Sequence, residues 1–225
     1  MPTVTVVVPV YNGERYLGVA LTSILTQTVP PTEIIVVDDG STDESASVAQ
    51  NFGPQVRCLI QLHAGAAAAR NQGIAVATGE YLAFLDADDL WAPDKLAAQL
   101  SLLTVDPVDI ALGQVNHFIS PELDTTERAH LRIPQGSMDG FSVGTMLIKR
   151  TVFLSVGEFD PQWRLGEFVD WWARAMAQGL RYRLLPQVVL YRRIHNDHQT
   201  LRERAAAADY VRIAKAALDR RRKNK

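Results

Sequence analysis

The chain begins its first regular element with Val4-Thr-Val-Val-Val-Pro-Val10, a nearly unbroken run of apolar and β-branched residues. Such a run is typical of a strand buried on both faces, as strands in parallel sheets are. Helical spacing follows, because Leu17, Leu21 and Ile24 recur every three or four residues before Pro30 ends the segment. The first thirty residues therefore predict a buried strand followed by a helix over 14–26.

The same alternation continues outward from this strand to about residue 108. Strands are predicted at 33–38, 56–61 and 81–85, and further helices at 45–51, 65–78 and 93–103. Regular alternation of strand and helix predicts an α/β fold with a mostly parallel sheet flanked by helices.

Beyond residue 108 the pattern loosens and predicts a smaller, mixed half. Strands are expected at 110–117, 144–148, 182–185 and 188–194, a helix at 166–178, and a long polar loop at 119–139. No Gly/Ser-rich linker separates the two parts. We therefore predict one domain with halves at 1–108 and 109–200, followed by a basic, helical tail at 201–225.

Composition places the chain among ordinary globular proteins. It has 225 residues, of which 47% are hydrophobic and 21% are charged, and one cysteine, Cys58. These values exclude intrinsic disorder, a collagen-like repeat and a disulfide scaffold. Because the sequence shows neither a secretion signal nor an apolar stretch of the ~18 residues that a membrane span needs, a cytoplasmic location is expected.

The formal net charge of −2 is unevenly distributed. Residues 202–225 contain nine Lys or Arg and three Asp or Glu, whereas the rest of the chain has 14 basic and 22 acidic residues. The basic end is interpreted either as a solvated helix terminus or as a surface for an anionic membrane leaflet, where each cation adds ~1 kcal/mol. Nucleic-acid binding is not expected, because no aromatic residues interleave with these charges.

Acidic residues follow two of the predicted strands. Asp38 and Asp39 end the second strand, and Asp86, Asp88 and Asp89 come directly after the fourth. Since carboxyl ends of parallel strands share one edge of a sheet, we expect these side chains to lie together, where ligands of α/β sheets bind. Carboxylates spaced as Asp-x-Asp can hold Mg²⁺ or Mn²⁺ beside substrate phosphates, whereas unneutralised they repel one another. A metal site for a nucleotide diphosphate is therefore predicted, and neither a P-loop nor a G-x-G-x-x-G motif competes with it.

Four motifs in order carry a specific resemblance. They are Val8-Pro-Val-Tyr-Asn12, Ile35-Val-Val-Asp-Asp-Gly-Ser-Thr-Asp43, Ala69-Arg-Asn-Gln-Gly73 and Phe84-Leu-Asp-Ala-Asp-Asp-Leu-Trp91. Together they resemble the inverting family 2 glycosyltransferases of the GT-A fold. The resemblance is dense over the first ~100 residues and weaker to about residue 198. It implies a donor-binding half at 1–108, an acceptor-binding half at 109–200, and an enzyme that transfers a sugar from a nucleotide diphosphate.

The resemblance also assigns roles to individual residues. The implied contacts to the nucleotide sugar are made by Pro9, Tyr11, Asn12, Asp38, Arg70 and Asp86. The implied metal ligands, for Mn²⁺ or Mg²⁺, are Asp88, Asp86 and His195, the last from a segment, 191–198, that resembles a later Arg/His motif of the family. Arg192 or Arg193 in that segment is expected to neutralise phosphate charge. UDP is the expected nucleotide, and the expected acceptor is a carbohydrate or a lipid-linked hydroxyl.

An inverting enzyme also needs a base for the acceptor hydroxyl. In the family this is usually the Asp of a Glu-Asp pair at the start of a helix, but Phe168 stands at that position here. Glu167 and Asp170 remain as candidates, three residues apart and on one predicted helix face, with Asp170 slightly preferred. Both acids also suit the first turn of a helix without any catalytic role. A non-catalytic sugar-nucleotide-binding protein is therefore kept as an alternative, with a sugar nucleotidyltransferase behind it.

Overall fold

The computed structural model describes residues 2–129, 131, 133–163, 165–195 and 207–223. Its strands are β1 (Val4–Val10), β2 (Glu33–Asp38), β3 (Val56–Ile60), β4 (Tyr81–Phe84), β5 (Leu90–Trp91), β6 (Ile110–Ile119), β7 (Met138–Asp139), β8 (Leu147–Lys149) and β9 (Tyr182–Ile194). Its α-helices are α1 (Glu14–Leu25), α2 (Ser45–Gln50), α3 (Ala66–Val76), α4 (Lys95–Val105), α5 (Thr125–Ala129), α6 (Arg150–Val156), α7 (Glu167–Ala177) and α8 (Ala207–Lys223).

These strands form one sheet in the order β3-β2-β1-β4-β8-β6-β9-β5, with β7 paired to β6. Four pairings are parallel: β1 with β2, β1 with β4, β2 with β3, and β6 with β9. The antiparallel pairings each join only two or three residues per strand. The predicted α/β fold with a mostly parallel sheet is confirmed, and the sheet runs through both halves of the chain.

Strand β1 is covered by side chains on both of its faces. All seven of its residues are buried. Val6 and Val8 pack in a cluster with α1 and α4, whereas Val7 packs on the other face with α3, α6 and α7. On that second face, Gly73 of α3 lies so close that a Cβ atom there would come within 2.5 Å of Val7 Cγ1. The glycine therefore allows α3 to lie directly against β1.

The second half of the chain differs from its prediction in several elements. The predicted loop at 119–139 contains α5 and β7, and the predicted strand at 144–148 is a 3₁₀ turn, Val143–Thr145, followed by β8. The two strands predicted within 182–194 are one continuous strand, β9, and its pairing with β6 shifts register between Leu184 and Val188, around Pro186. Strand β5 and helix α6 were not predicted. Within the tail, 201–206 and 224–225 lie outside the described residues, and 207–223 is helical as expected.

The sheet order brings the end of the second half to the acidic edge. Strand β8 is antiparallel to both β4 and β6, so β6 runs in the same direction as β4, and β9 is parallel to β6. The carboxyl ends of β1, β2, β4, β6 and β9 consequently lie on one edge of the sheet, which we call the rim. No helix in the described part of the chain combines the length and the apolar composition that a membrane span needs.

One charged side chain lies inside the core away from the rim. Lys95, at the start of α4, is only 1% exposed, and its ammonium group donates hydrogen bonds to Gln99 and to the carbonyl of Thr145. It also lies 4.7 Å from the centre of the Trp91 ring, a favourable cation–π distance. Burial lowers the pKa of Lys95 well below its ordinary value.

Replacing Lys95 by Met should change the pH dependence of stability. Because the pKa of Lys95 is lower in the folded protein, the unfolded chain binds more protons between that folded pKa and ~10.5. In this window the wild type gains stability relative to Lys95→Met as pH rises, by up to ~1.4 kcal/mol per unit, and loses it as pH falls toward the folded pKa. Urea unfolding at several pH values measures this difference.

Lys149→Met is the matched control, since Lys149 is exposed at the end of β8. That control should unfold with the pH dependence of the wild type. Parallel pH profiles for wild type and Lys95→Met would contradict the buried, perturbed state of Lys95.

Candidate active site

The turn after β1 is fixed to the turn after β2. Asn12 has a left-handed backbone with φ of 50°, which asparagine adopts more readily than most residues. Its backbone N–H donates to Ser41 Oγ at 2.9 Å, and its side-chain oxygen accepts from the N–H of Thr42 at 2.8 Å. Asp38 is 3% exposed and accepts from the N–H of Ser41 at 2.9 Å. The predicted nucleotide-contacting residues of this corner, Asn12 and Asp38, thus belong to one hydrogen-bonded unit next to the exposed Tyr11.

Asp39 organises the loop that follows β3. Its carboxylate, 2% exposed, accepts from the backbone N–H groups of Ala64 and Gly65, both at 2.8 Å, and from the Gln61 side chain. The same carboxylate lies 2.9 Å from Nδ1 of His63. The Asp39 carboxylate is therefore engaged by other groups of the protein. The sequence, in contrast, grouped it with the acids that are expected to meet where a ligand binds.

His63 is a site residue that sequence reasoning missed. Its ring centre lies 4.1 Å from that of Tyr11, at an interplanar angle of 33°. His63 shares no motif spacing with other residues, so sequence reasoning assigns it no role. One feature could have indicated a role for His63: it lies just beyond the carboxyl end of β3, the strand next to β2.

Arg70 joins the two halves of the site. It is 3% exposed, and its guanidinium lies 2.5 Å from Asp86 Oδ1 and 2.6 Å from Glu167 Oε1. Burial alone would lower the pKa of Arg70, but the two carboxylates raise it above its ordinary value, so the group stays charged. Its Nε atom is buried without a hydrogen-bond partner among the described residues. The structure therefore links the Asp-x-Asp loop after β4 to the start of α7 through one buried cation.

Asp88 and His195 form a second pair beside this triad. His195 Nε2 lies 3.1 Å from Asp88 Oδ2, with side-chain exposures of 7% and 27%. Asp86, the third predicted metal ligand, instead contacts Arg70, and no group of three or more His, Cys, Asp or Glu that could hold a metal occurs among the described residues. Two protein ligands still fit Mg²⁺ or Mn²⁺, because these ions complete their coordination with substrate phosphates and water.

Asp89 and Arg193 support the loop that carries Asp88. Asp89 is 4% exposed and accepts from the backbone N–H of Arg193 at 2.9 Å. Burial, together with the charges of Asp88 and Asp86, raises the pKa of Asp89 well above its ordinary value. The Arg193 side chain is 5% exposed and donates to the carbonyl of Asp88 at 2.8 Å and to Ser120 Oγ at 3.1 Å. Arg193 therefore contacts the loop itself, which leaves Arg192 as the more accessible of the two predicted phosphate partners.

The two candidate bases have different surroundings. Glu167 Oε1 contacts Arg70 at the rim, whereas Asp170 is 2% exposed and lies 2.9 Å from Arg174 Nε. Arg174 in turn donates to the carbonyls of Val156 and Glu158, at the end of α6 and just beyond it. Asp170 thus helps to attach α7 to α6. The choice of base stays a prediction, and Glu167 has the better geometry for it.

Phe168, which stands where the family pattern has Asp, is 8% exposed and belongs to an aromatic cluster. Its ring centre lies 6.5 Å from that of Trp171 and 5.8 Å from that of Trp172. Trp171 is fully buried, and Trp172 also contacts the ring of Tyr182 at 5.0 Å. The side chain of Phe168 therefore contributes to the core and offers no acid at this position.

Comparison with known sequences identifies the family. The sequence model described as "Glycosyl transferase family 2" matches residues 5–165. The chain therefore belongs to glycosyltransferase family 2, as the resemblance predicted.

Curated relatives include YibD of Escherichia coli strain K12, an uncharacterized glycosyltransferase that is 42% identical over 110 residues, which cover 48% of this chain and 32% of the relative. An uncharacterized glycosyltransferase of Nostoc sp. strain PCC 7120 is 34% identical over 182 residues, which cover 72% of this chain and 56% of the relative. The chain spans two thirds or less of the length of these curated relatives, and as little as 15% of another.

A solved structure supports the fold. S. aureus TarS 1–349 in complex with UDP-GlcNAc matches with a TM-score of 0.77 at 18% identity, over 96% of this chain and 65% of that chain. The same TarS fragment has also been solved in complex with UDP. The predicted GT-A fold is thereby confirmed.

We expect Asp170→Asn to destabilise the protein without any change at the rim. The substitution removes the charge that faces Arg174 in a buried contact, which costs ~1–3 kcal/mol when a buried partner is left poorly satisfied. Urea unfolding measures the loss in free energy of unfolding. Asp94→Asn is the control, since Asp94 is exposed and makes no side-chain cap, and it should stay within ~0.5 kcal/mol of the wild type. An Asp170→Asn variant as stable as the control would refute the structural role of Asp170.

Proposed function

We propose that the protein is an inverting, metal-dependent glycosyltransferase that moves a sugar from a nucleotide diphosphate donor, a UDP-sugar, to a hydroxyl acceptor. The observation that carries this proposal is the linkage of Asp86, Arg70 and Glu167 next to the Asp88–His195 pair. One edge of the sheet thus combines a donor-side carboxylate, a candidate base and a pair suited to a divalent cation. Family membership and the fold support the same reaction class.

The nucleotide would occupy the corner formed after β1, β2 and β3. Tyr11 and His63 offer ring surfaces there, and the buried Asp38 offers an acceptor for N–H or O–H groups of the base or the ribose. The UDP and UDP-GlcNAc complexes of TarS support UDP as the first nucleotide to test. dTDP and GDP would need only small changes in this corner, so they belong in the same screen.

Asp88 and His195 would hold Mn²⁺ or Mg²⁺ together with the donor diphosphate. Bound there, the cation would act as a Lewis acid that stabilises the charge of the diphosphate leaving group. The 3.1 Å approach of an imidazole nitrogen to a carboxylate oxygen supports this assignment, because it brings together at the rim two groups that can ligate a divalent cation. Arg193 would keep the loop in place through its bond to the carbonyl of Asp88.

Glu167 would act as the base. Arg70 fixes Glu167 Oε1 at 2.6 Å, which leaves Oε2 to take the proton of the acceptor hydroxyl. The acceptor oxygen then bonds to the anomeric carbon from the face opposite the diphosphate, and the bond between that carbon and the phosphate oxygen breaks with inversion. Arg70 would also hold Asp86 in position for the sugar or the ribose of the donor.

A second reading is a degenerate, non-catalytic protein that binds sugar nucleotides. The observation in its favour is Phe168, which is buried among tryptophans where the family pattern has an acid. The two readings differ in turnover and agree on donor binding. Nothing in the turn after β1 favours the sugar nucleotidyltransferase, which needs a Gly- and Arg/Lys-rich activating loop there.

The acceptor is proposed to be a carbohydrate or a lipid-linked molecule, as in polysaccharide biosynthesis. The excess of nine basic over three acidic residues in 202–225 supports a peripheral contact with the anionic inner face of a membrane, from a cytoplasmic location. No nucleic-acid partner is proposed.

Glu167→Gln should lower turnover sharply and leave donor binding in place. Removal of a general base lowers the rate by about 100-fold or more. Release of UDP from a panel of UDP-sugars, with water or simple glycosides as acceptors, measures turnover. Asp170→Asn, which removes the other candidate base, is the matched control. Assayed below its melting temperature, this variant should retain most of the activity. Full activity of Glu167→Gln would refute the assignment of the base, and a wild type that binds donors without turnover would favour the degenerate protein.

A nucleotide sugar should stabilise the protein more in the presence of Mn²⁺. Ligand at about a hundred times its dissociation constant adds ~2.7 kcal/mol to the free energy of unfolding. Thermal shift with UDP-, dTDP- and GDP-sugars, with and without Mn²⁺, identifies the nucleotide. Asp88→Asn should lose the metal-dependent part of the shift, whereas Asp94→Asn should keep it. The absence of any metal-dependent shift with every nucleotide in the wild type would overturn the proposed metal site.

A further inference from the structure

Tyr16, on the first turn of α1, lies at the meeting point of several segments of the rim. Its ring centre is 4.9 Å from that of His195, and the guanidinium carbon of Arg193 lies 4.6 Å from the same ring. Its hydroxyl donates a hydrogen bond to Glu122, beyond the end of β6. Neither the motifs nor the helical spacing of α1 assigned any role to Tyr16.

The arginine beside Tyr16 contacts a second aromatic ring. The guanidinium carbon of Arg193 also lies 4.7 Å from the centre of the Phe118 ring, so that two aromatic rings hold one cation. Such contacts are strongest when the cation is desolvated, and Arg193 is 5% exposed. The guanidinium plane is thus fixed, and with it the bond from Arg193 to the carbonyl of Asp88.

The imidazole beside Tyr16 is the one that meets the Asp88 carboxylate. His195 is 6% exposed and contacts Asp88 Oδ2 through Nε2 at 3.1 Å. The Tyr16 ring therefore contacts both residues that hold Asp88, one through its carbonyl and the other through its carboxylate. Residues behind the ligands of a metal usually orient those ligands, and their loss typically costs 10–100-fold in affinity.

The hydroxyl of Tyr16 has a separate connection. Burial tends to raise the pKa of Glu122, but hydrogen bonds from Ser120 and Tyr16 and the charge of Arg15 lower it to about 2. Glu122 is therefore ionised and accepts from a protonated tyrosine, whose pKa is raised by burial and by Glu122 itself. This bond, together with the ion pair between Arg15 and Glu122 at 3.4 Å, attaches the segment 120–123 to α1.

We propose that Tyr16 is a positioning residue with two separable parts: its ring orients His195 and Arg193 toward Asp88, and its hydroxyl attaches the segment 120–123 to the donor side of the site. The first part rests on the proposed function, in which Asp88 and His195 hold a divalent cation with the donor diphosphate. The second part concerns the protein alone.

Two substitutions separate the parts. Tyr16→Leu removes the ring and the hydroxyl, whereas Tyr16→Phe keeps the ring and removes the hydroxyl. In the metal-free protein, the NMR signals of the His195 ring, assigned with a His195→Gln variant, report the ring current of Tyr16. Titration calorimetry with Mn²⁺ and UDP reports the metal site.

Tyr16→Leu should shift the His195 ring signals and weaken Mn²⁺ binding about tenfold or more. Tyr16→Phe should keep both properties. Like Glu122→Gln, which weakens the same connection at its other end, it should lower the exchange protection of the amides of Ser120 and Leu123. If Tyr16→Leu does not fold, Tyr16→Met replaces it, because methionine fills similar volume without a ring.

Unchanged His195 signals and unchanged Mn²⁺ affinity in the ringless variant would overturn the positioning role. Loss of Mn²⁺ affinity in Tyr16→Phe as severe as in Tyr16→Leu would also overturn the separation into two parts. A wild type that binds no Mn²⁺ would refute the proposed metal site, and the His195 signals would then decide on the ring contact independently. The two proposals can thus fail separately.

Discussion

Buried positive charge allows several acids to share one edge of the sheet. Asp86 and Glu167 face the same buried guanidinium of Arg70, and the loop that carries Asp88 and Asp89 is held by Arg193. Without these cations, carboxylates so close together would have to take up protons or move apart. Because removing one member of a buried ion pair leaves an uncompensated charge, the site and the local fold depend on the same contacts.

Two kinds of acid can be distinguished at this edge by their partners. Asp38 and Asp39 accept backbone N–H groups and shape the turns after β2 and β3. Asp88 and Glu167 keep part of their surface exposed, at 27% and 14% of the side chain. A carboxylate that binds a metal or takes up a proton needs such exposure next to a fixed cation or imidazole. The buried Asp38 and Asp39 hold the turns instead, and Asp38 can still offer an oxygen to a nucleotide bound there. This contrast also separates Glu167 from Asp170, which the sequence could not do.

The sequence predicted best the elements that carry a long local pattern. Strands β1 and β2 and helix α7 were predicted within a residue or two, because a continuous apolar run or a helical repeat is a local property. Strand β5, with two residues, carries too little pattern to detect, and β8, with three, was predicted with the wrong bounds. Both strands are stabilised by pairing with distant strands. His63 and Tyr16 were missed for the same reason, since their importance comes from neighbours far away in the chain.

The sequence by itself determined the α/β class, the family, and most of the residues that line the rim, because motif order and strand periodicity survive without knowledge of pairing. Only the tertiary structure decided which residues meet. The order β4-β8-β6-β9 brings His195 to Asp88, 107 positions apart, and the docking of α7 brings Glu167 to Arg70, 97 positions apart. These distances along the chain are closed by strand pairing and helix packing, which depend on the summed burial of many side chains and are therefore invisible in any single motif.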